Sequence, residues 1–267
     1  MRNPPARTRG MAATSLCLLA LSGVCAWTTC AQNTARDLVT TRDVPASFFH
    51  ACAFVSVDFQ PSVRAHVTEV PEFWKSANVT VEDINTANDF LVDVALPNAR
   101  KIADACRDLN MPMILVHWGY RFRDAMDLDP MIRREFLQRF GTDYSKWPHY
   151  AGAPDSRPAD ILGVRDGEYV IAKTAHDAFR SSNLGFVLQN LEVKNIVFVG
   201  GHTGACLGMT AKAAKRLGYT TLCVEDATND AFESTRRQRI QQTGYDYVIK
   251  TADFLRVTAR LRDRVAP

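Results

Sequence analysis

What is missing from this sequence narrows it first. No charge of one sign dominates: 32 Lys and Arg face 29 Asp and Glu, and three of the basic residues, Arg2, Arg7 and Arg9, lie in residues 1–31, which hold no acid. Without that stretch the two signs balance. A nucleic-acid partner would call for a basic patch, and none is expected here. No apolar run reaches the ~20 residues that a membrane-spanning helix needs. Internal repeats, linkers and low-complexity tracts are missing between residues 48 and 261, so one domain is expected. Cysteine is sparse where it would matter for a disulfide scaffold. Of seven, Cys17, Cys25 and Cys30 fall in the first 31 residues. The remaining Cys52, Cys106, Cys206 and Cys223 do not make a framework of the small secreted kind. Cys52, Cys106 and Cys223 read as core residues, with a Cys52–Cys106 bridge left open.

The first 31 residues have the layout of a secretory leader. A basic n-region is followed by an apolar stretch from Met11 to Ala26, then Val24-Cys25-Ala26 or Thr29-Cys30-Ala31 as a small-residue cleavage site. Export to the periplasm or beyond the cell is therefore expected, with residues 32–47 a polar lead-in and residues 48–267 the folded domain. Lipid attachment at Cys25 is not expected, because Val24 stands where a small residue should precede it.

Short apolar runs alternate with amphipathic segments through the rest of the chain. Strands are expected at Ala51–Val57, Met113–Val116, Gly167–Lys173, Ile196–Val199, Thr220–Val224 and Tyr245–Ile249. Helices are expected at Val94–Leu109, Pro130–Phe140, through Leu184 to Leu191, and at Ala205–Leu217 with Gly218 as its stop. Two more follow at Ala231–Gln242 and Ala252–Leu261. This alternation predicts an α/β fold, a Rossmann-like doubly wound and mostly parallel sheet of about six strands flanked by helices. Residues 62–93 and 121–163 interrupt the alternation. The first is expected to be a covering loop or lid, and the second to hold little beyond the Pro130 helix. Trp147 and Tyr150 in the second either wall a pocket or simply pack.

Ligands of open α/β sheets bind beyond the C-terminal ends of the strands, and several reactive side chains are expected there. Asp58 ends the first strand in Asp58-Phe59-Gln60-Pro61, either placed for chemistry or forming the turn. The same run lacks the glycines of a dinucleotide-binding turn. His117 ends the second strand, as a pocket residue or as a core or capping histidine. Lys173 ends the third. Cys206 follows Gly200-Gly201 at a strand-to-helix turn, where unpaired N–H groups and the helix dipole favour a thiolate. The competing reading of Cys206 is a buried small hydrophobe. A third reading makes Gly200-Gly201-x-x-Gly204 a phosphate loop of a nucleotide-binding protein, although its spacing is not G-x-G-x-x-G. Gln60, His117, Phe179 and His202 neighbour these positions in sequence and are candidates to face a pocket. Iodoacetamide separates the readings: a nucleophile is labelled quickly and selectively at Cys206, whereas a sealed core thiol is not.

Taken together, Val57-Asp58-Phe59-Gln60, Ala172-Lys173 with Ala178-Phe179 and Leu184, and Gly200-Gly201-His202-Thr203-Gly204-Ala205-Cys206 resemble the isochorismatase-like cysteine hydrolases. Asp226-Ala227 resembles that family's Asp-Ala after the next strand. The resemblance spans Ala51 to Leu261. It implies Asp58 as acid/base, Lys173 as the group that helps hold the thiolate, and Cys206 as nucleophile. It also implies a cis Gly201–His202 peptide, with the N–H groups of His202 and Cys206 as an oxyanion hole. Hydrolysis of a small amide, ureido or carbamoyl compound through a thioester follows, with Gln60, His117 and Phe179 as substrate-facing residues. No cofactor is implied. Metal-dependent nicotinamidases of the superfamily carry Asp-x-His after the first strand; no such pair stands near Asp58, and His66 and His117 are isolated, so no bound metal is expected. An isochorismatase-type reaction or an inactive small-molecule-binding member are the alternatives left open. The expected partners are a small-molecule substrate and, through a flat helical face, a second copy of the chain. Neither nucleic acid nor, once the leader is cleaved, a membrane is expected.

Overall fold

The computed structural model describes residues 43–265 apart from Val63. The leader, its cleavage sites, and Cys17, Cys25 and Cys30 lie outside the described residues. Six strands form one sheet: β1 Cys52–Val57, β2 Met113–Trp118, β3 Tyr169–Lys173, β4 Asn195–Gly200, β5 Thr220–Thr228 and β6 Tyr247–Ile249. All neighbours pair in parallel, in the order β3-β2-β1-β4-β5-β6. The chain therefore builds outward from β1 to β3, returns to the other side of β1, and builds outward again. The reversal lies between β1 and β4, which is where a doubly wound sheet opens a crevice.

Every residue of β1 is buried, as expected of a central parallel strand covered on both faces. Cys52 and Phe54 join the layer under α2 (Leu96–Asp108) and α8 (Thr251–Val265). Ala53, Val55 and Val57 join the opposite layer with Leu184 and Leu188 of α5 (Leu184–Asn190) and Leu207, Ala211 and Ala214 of α6 (Cys206–Arg216). Cys52, Cys106 and Cys223 are buried free thiols. The lead-in is not polar throughout: Val44 is buried in the α2 layer with Phe48, the first residue after it, which meets Tyr247 edge to face.

Two expectations need correction. Residues 62–93 are not all loop, since a helix begins at Val81 (α1, Val81–Phe90) and continues through one wide turn, Leu91–Ala95, into α2. Its start is capped by Thr80, whose Oγ1 accepts the Asp83 N–H at 3.1 Å, with Glu82 and Asp83 in the first turn. The helix looks too polar for its place because its polar side chains hold the preceding segment. Asn85 bonds both the N–H and the carbonyl of Val67, and Asn88 donates to the Ala65 carbonyl. In addition, the fifth strand does not stop at Val224, because β5 runs on through Glu225-Asp226 to Thr228. Asp226 Oδ1 accepts both the N–H and the hydroxyl of Thr251, which anchors the start of α8.

The second excursion carries α3 (Pro130–Phe140) as expected, together with a small core of its own in which Tyr120, Ala125, Leu128, Ile132 and Trp147 are buried. Trp147 and Tyr150 pack there. Two more helices complete the chain, α4 Ala178–Ser181 before α5 and α7 Glu233–Thr243 before β6. Gly218 ends α6 with φ +90°. None of the described helices is long and apolar enough to cross a membrane.

Candidate active site

Three strand ends meet above the crevice. Asp58 follows β1 in the left-handed region, φ 54°, one of the few non-glycine types that tolerates it. Its N–H donates to the Val116 carbonyl at 2.8 Å. Lys173 ends β3, two strands away from β1, a separation of about 10 Å at the usual strand spacing. Its side chain crosses β2 by lying on the Trp118 ring, with Nζ 3.6 Å from the ring centroid. Trp118 and Lys173 are register partners between the two strands. Nζ then reaches Asp58 Oδ2 at 2.8 Å, Cys206 Sγ at 3.3 Å and the Ala175 carbonyl at 3.1 Å. The side chain of Lys173 is fully buried and that of Asp58 is 9% exposed, while Cys206 is 6% exposed.

The turn that presents Cys206 is held from β5. Gly200 has φ +126°, and a Cβ there would stand 2.1 Å from the Val57 carbonyl oxygen; one on Gly201 would stand 2.0 Å from Asn229 Oδ1. Both positions require glycine because the loop is pressed against β1 and Asn229. The Gly201–His202 peptide is cis. Asn229 accepts the Thr203 N–H and donates its own to Gly200, each at 3.0 Å. Buried Asp230 accepts from the Thr203 hydroxyl, from the Gly204 N–H at 3.0 Å and from Arg239 at 2.6 Å. Within residues 201–207 these bonds and the turns onto the His202 carbonyl satisfy every backbone N–H except two, those of His202 and Cys206. Two unpaired N–H donors beside a thiol at a helix start are suited to meet a developing oxyanion.

Burial first, and then the Asp58 carboxylate beside it, push the Cys206 thiol well up, while Lys173 pulls it the other way. The helix start and Lys173 thus favour the thiolate, and burial and Asp58 oppose it. The Asp58 carboxylate pairs with the Lys173 ammonium and also faces the thiol, whose hydrogen bond to it helps push the thiol up, so it is placed to take the sulfur's proton.

Of the other sequence candidates, His117 is buried on β2 next to Trp118. Its Nδ1 is 2.8 Å from the Trp118 carbonyl, which fixes Nδ1–H as the donor and leaves Nε2 free to accept. Burial lowers its pKa. Gln60 is engaged at both ends, its Oε1 accepting the Trp118 N–H at 3.0 Å and its Nε2 donating to the Asp155 carbonyl. It braces β1 against β2 and the second excursion. Phe179 is not brought to the cluster, since its ring packs beside Tyr219 at the far end of α6. Sequence reasoning overlooked His176, whose Nδ1 is 3.1 Å from Cys206 Sγ, and Trp118, the platform under Lys173. It also placed the β5 contribution at Asp226 instead of Asn229 and Asp230. Asp-Ala at 226–227 and Asn-Asp at 229–230 look equally apt locally; only the bulged end of β5 decides between them. Among the described residues no three His, Cys, Asp or Glu side chains gather as a metal site.

A model of the isochorismatase domain matches residues 52–253. The chain belongs to the isochorismatase family. Family structures share its fold: an isochorismatase family protein from Desulfovibrio vulgaris aligns at TM-score 0.58 and 21% identity, covering 79% of this chain and 99% of that one. A cysteine hydrolase from Pseudomonas syringae pv. phaseolicola aligns at TM-score 0.60 and 16% identity, covering 85% and 99%. By sequence, ureidoacrylate amidohydrolase RutB of Azorhizobium caulinodans is 27% identical over 140 residues, 51% of this chain and 56% of that protein. N-carbamoylsarcosine amidase of an Arthrobacter species is 26% identical over 142 residues, 52% and 51%. The chain thus spans about half the length of these two relatives.

Proposed function

We propose that this isochorismatase-family chain is an exported cysteine hydrolase that cleaves the C–N bond of a small amide, ureido or carbamoyl compound through a thioester. One observation carries the reading: a single buried ammonium touches both a carboxylate and a thiol at the switch point of the sheet. Relatives named for a ureidoacrylate amidohydrolase and an N-carbamoylsarcosine amidase support the substrate class. Export rests on the basic and apolar pattern of residues 1–31.

In this mechanism Asp58 takes the proton of Cys206 as Sγ attacks the substrate carbonyl carbon. The carbonyl π electrons move onto oxygen, where the N–H groups of His202 and Cys206 receive them. Collapse of the adduct breaks the C–N bond, and the leaving nitrogen takes the proton from Asp58. A water then gives its proton to Asp58 and attacks the thioester; the departing sulfur recovers that proton, and the thiol is restored. Lys173 stays charged throughout and offsets the carboxylate and thiolate in turn. His117 Nε2 is positioned as an acceptor for a substrate N–H.

The test is a hydrolysis panel of small amides, ureido acids and carbamoyl compounds, run on the full chain expressed in a secreting host. Release of ammonia or amine from at least one class is expected, from protein whose N-terminus is Trp27 or Gln32. Turnover of no C–N substrate would reject the chemistry, and an intact leader would reject export.

A further inference from the structure

The Cys206 sulfur has a second polar neighbour that the mechanism above does not use. His176 Nδ1 lies 3.1 Å from Sγ, a shorter approach than that of Lys173. The imidazole is fixed from two sides. Its ring stands edge-on to Trp118, 5.6 Å between centroids at 81°, so one indole orients both groups that touch the sulfur. Its backbone is tied to α6 by Thr210, whose hydroxyl donates to the His176 carbonyl at 3.3 Å and accepts the Ala178 N–H at 3.1 Å. Thr210 is one helical turn beyond Cys206, so both residues lie on the face of α6 that meets the His176 segment.

We infer that His176 is a further catalytic residue, a hydrogen-bond donor that holds the Cys206 thiolate together with Lys173. The inference rests on the nucleophile reading of Cys206 and deepens it. The charged and titratable groups around the imidazole are Lys173, Asp58, His202 and Asp129, besides Cys206 itself. Burial, and after it Lys173, push the ring down to about 4, so near neutral pH it is neutral and holds one N–H. When Asp58 takes the thiol proton, the sulfur gains a lone pair and full charge, and a donor on each side then stabilises it. Hydrogen bonds to charged groups are worth enough to change a rate about 10- to 100-fold.

Iodoacetamide alkylation of Cys206, followed by peptide mapping across pH 6–10, tests this without any substrate. Wild-type protein should label at Cys206 in preference to buried Cys52, Cys106 and Cys223. His176→Phe, which keeps the ring volume and removes the donor, should slow labelling about 10- to 100-fold and move its pH profile upward. His176→Asn, whose amide can present an N–H at the same place, should restore the rate to within about threefold. His176→Leu replaces the Phe variant if its thermal melt shows that it does not fold, and is read in the same way. A Phe variant that labels like wild type overturns the inference, and so does an Asn variant as slow as the Phe variant. Failure of wild-type Cys206 to label at all would instead reject the nucleophile reading.

Discussion

Cys206→Ser is expected to lower kcat at least about 10³-fold on whichever substrate the panel identifies, with the melting temperature changed by only a few degrees. The substitution is nearly isosteric, and the serine hydroxyl can still meet Lys173 and His176, so the fold has little reason to respond. Its reactivity changes far more. Burial already pushes the thiol up, and a hydroxyl starts from a much higher point, beyond what a carboxylate base can deprotonate unaided. Members of a catalytic unit lose most of the rate when one is removed. Steady-state kinetics with circular dichroism and a thermal melt check both halves; activity within tenfold of wild type would contradict them.

Lys173→Met should damage stability as well as rate. The ammonium is fully buried and sits on Asp58, Cys206, the Ala175 carbonyl and the Trp118 face. Methionine fills much of the same tunnel but leaves the Asp58 carboxylate buried without a counter-charge. Breaking such a pair typically costs about 3–5 kcal/mol. Turnover should fall about 10³-fold or more, since no cation then supports the thiolate. The double variant Asp58→Asn/Lys173→Met should regain stability relative to Lys173→Met without regaining activity, because it removes both buried charges. Urea unfolding measures this; a double variant no more stable than Lys173→Met would show that the pair is not coupled.

The outline of the candidate site was legible because Asp58 and Lys173 each close a short apolar run and Cys206 opens a helix just beyond one. Asp58, Lys173 and Cys206 are all marked by such a boundary, and parallel strands put those boundaries at one edge of the sheet. Gly200 and Gly201 were legible for a similar reason, since a tight turn after a buried strand needs them. What escaped was lateral. Nothing near Trp118 in sequence tells that its ring will carry Lys173 from the next strand. His176 lies in a short connection with no periodicity of its own, and its place beside the sulfur depends on Thr210, 34 positions later. Phe179 failed for the opposite reason: it is close to Lys173 in sequence, but the chain turns into α4 and carries its ring along α6 toward Tyr219. The polar face of α1 hid a helix because Asn85 and Asn88 bind neighbouring backbone, a use that hydrophobic periodicity does not register.

The thioester is the claim on which the rest depends, and hydroxylamine competition addresses it directly. With an amide substrate and increasing hydroxylamine, an acyl-enzyme partitions between water and the added nucleophile. The product should therefore include a hydroxamic acid, or an N-hydroxyurea from a carbamoyl substrate, in a ratio set by hydroxylamine concentration, and Cys206→Ser should form neither. Continued hydrolysis by the wild-type protein with no such product at high hydroxylamine would mean that water attacks the substrate directly, and the covalent role assigned to Cys206 would be wrong.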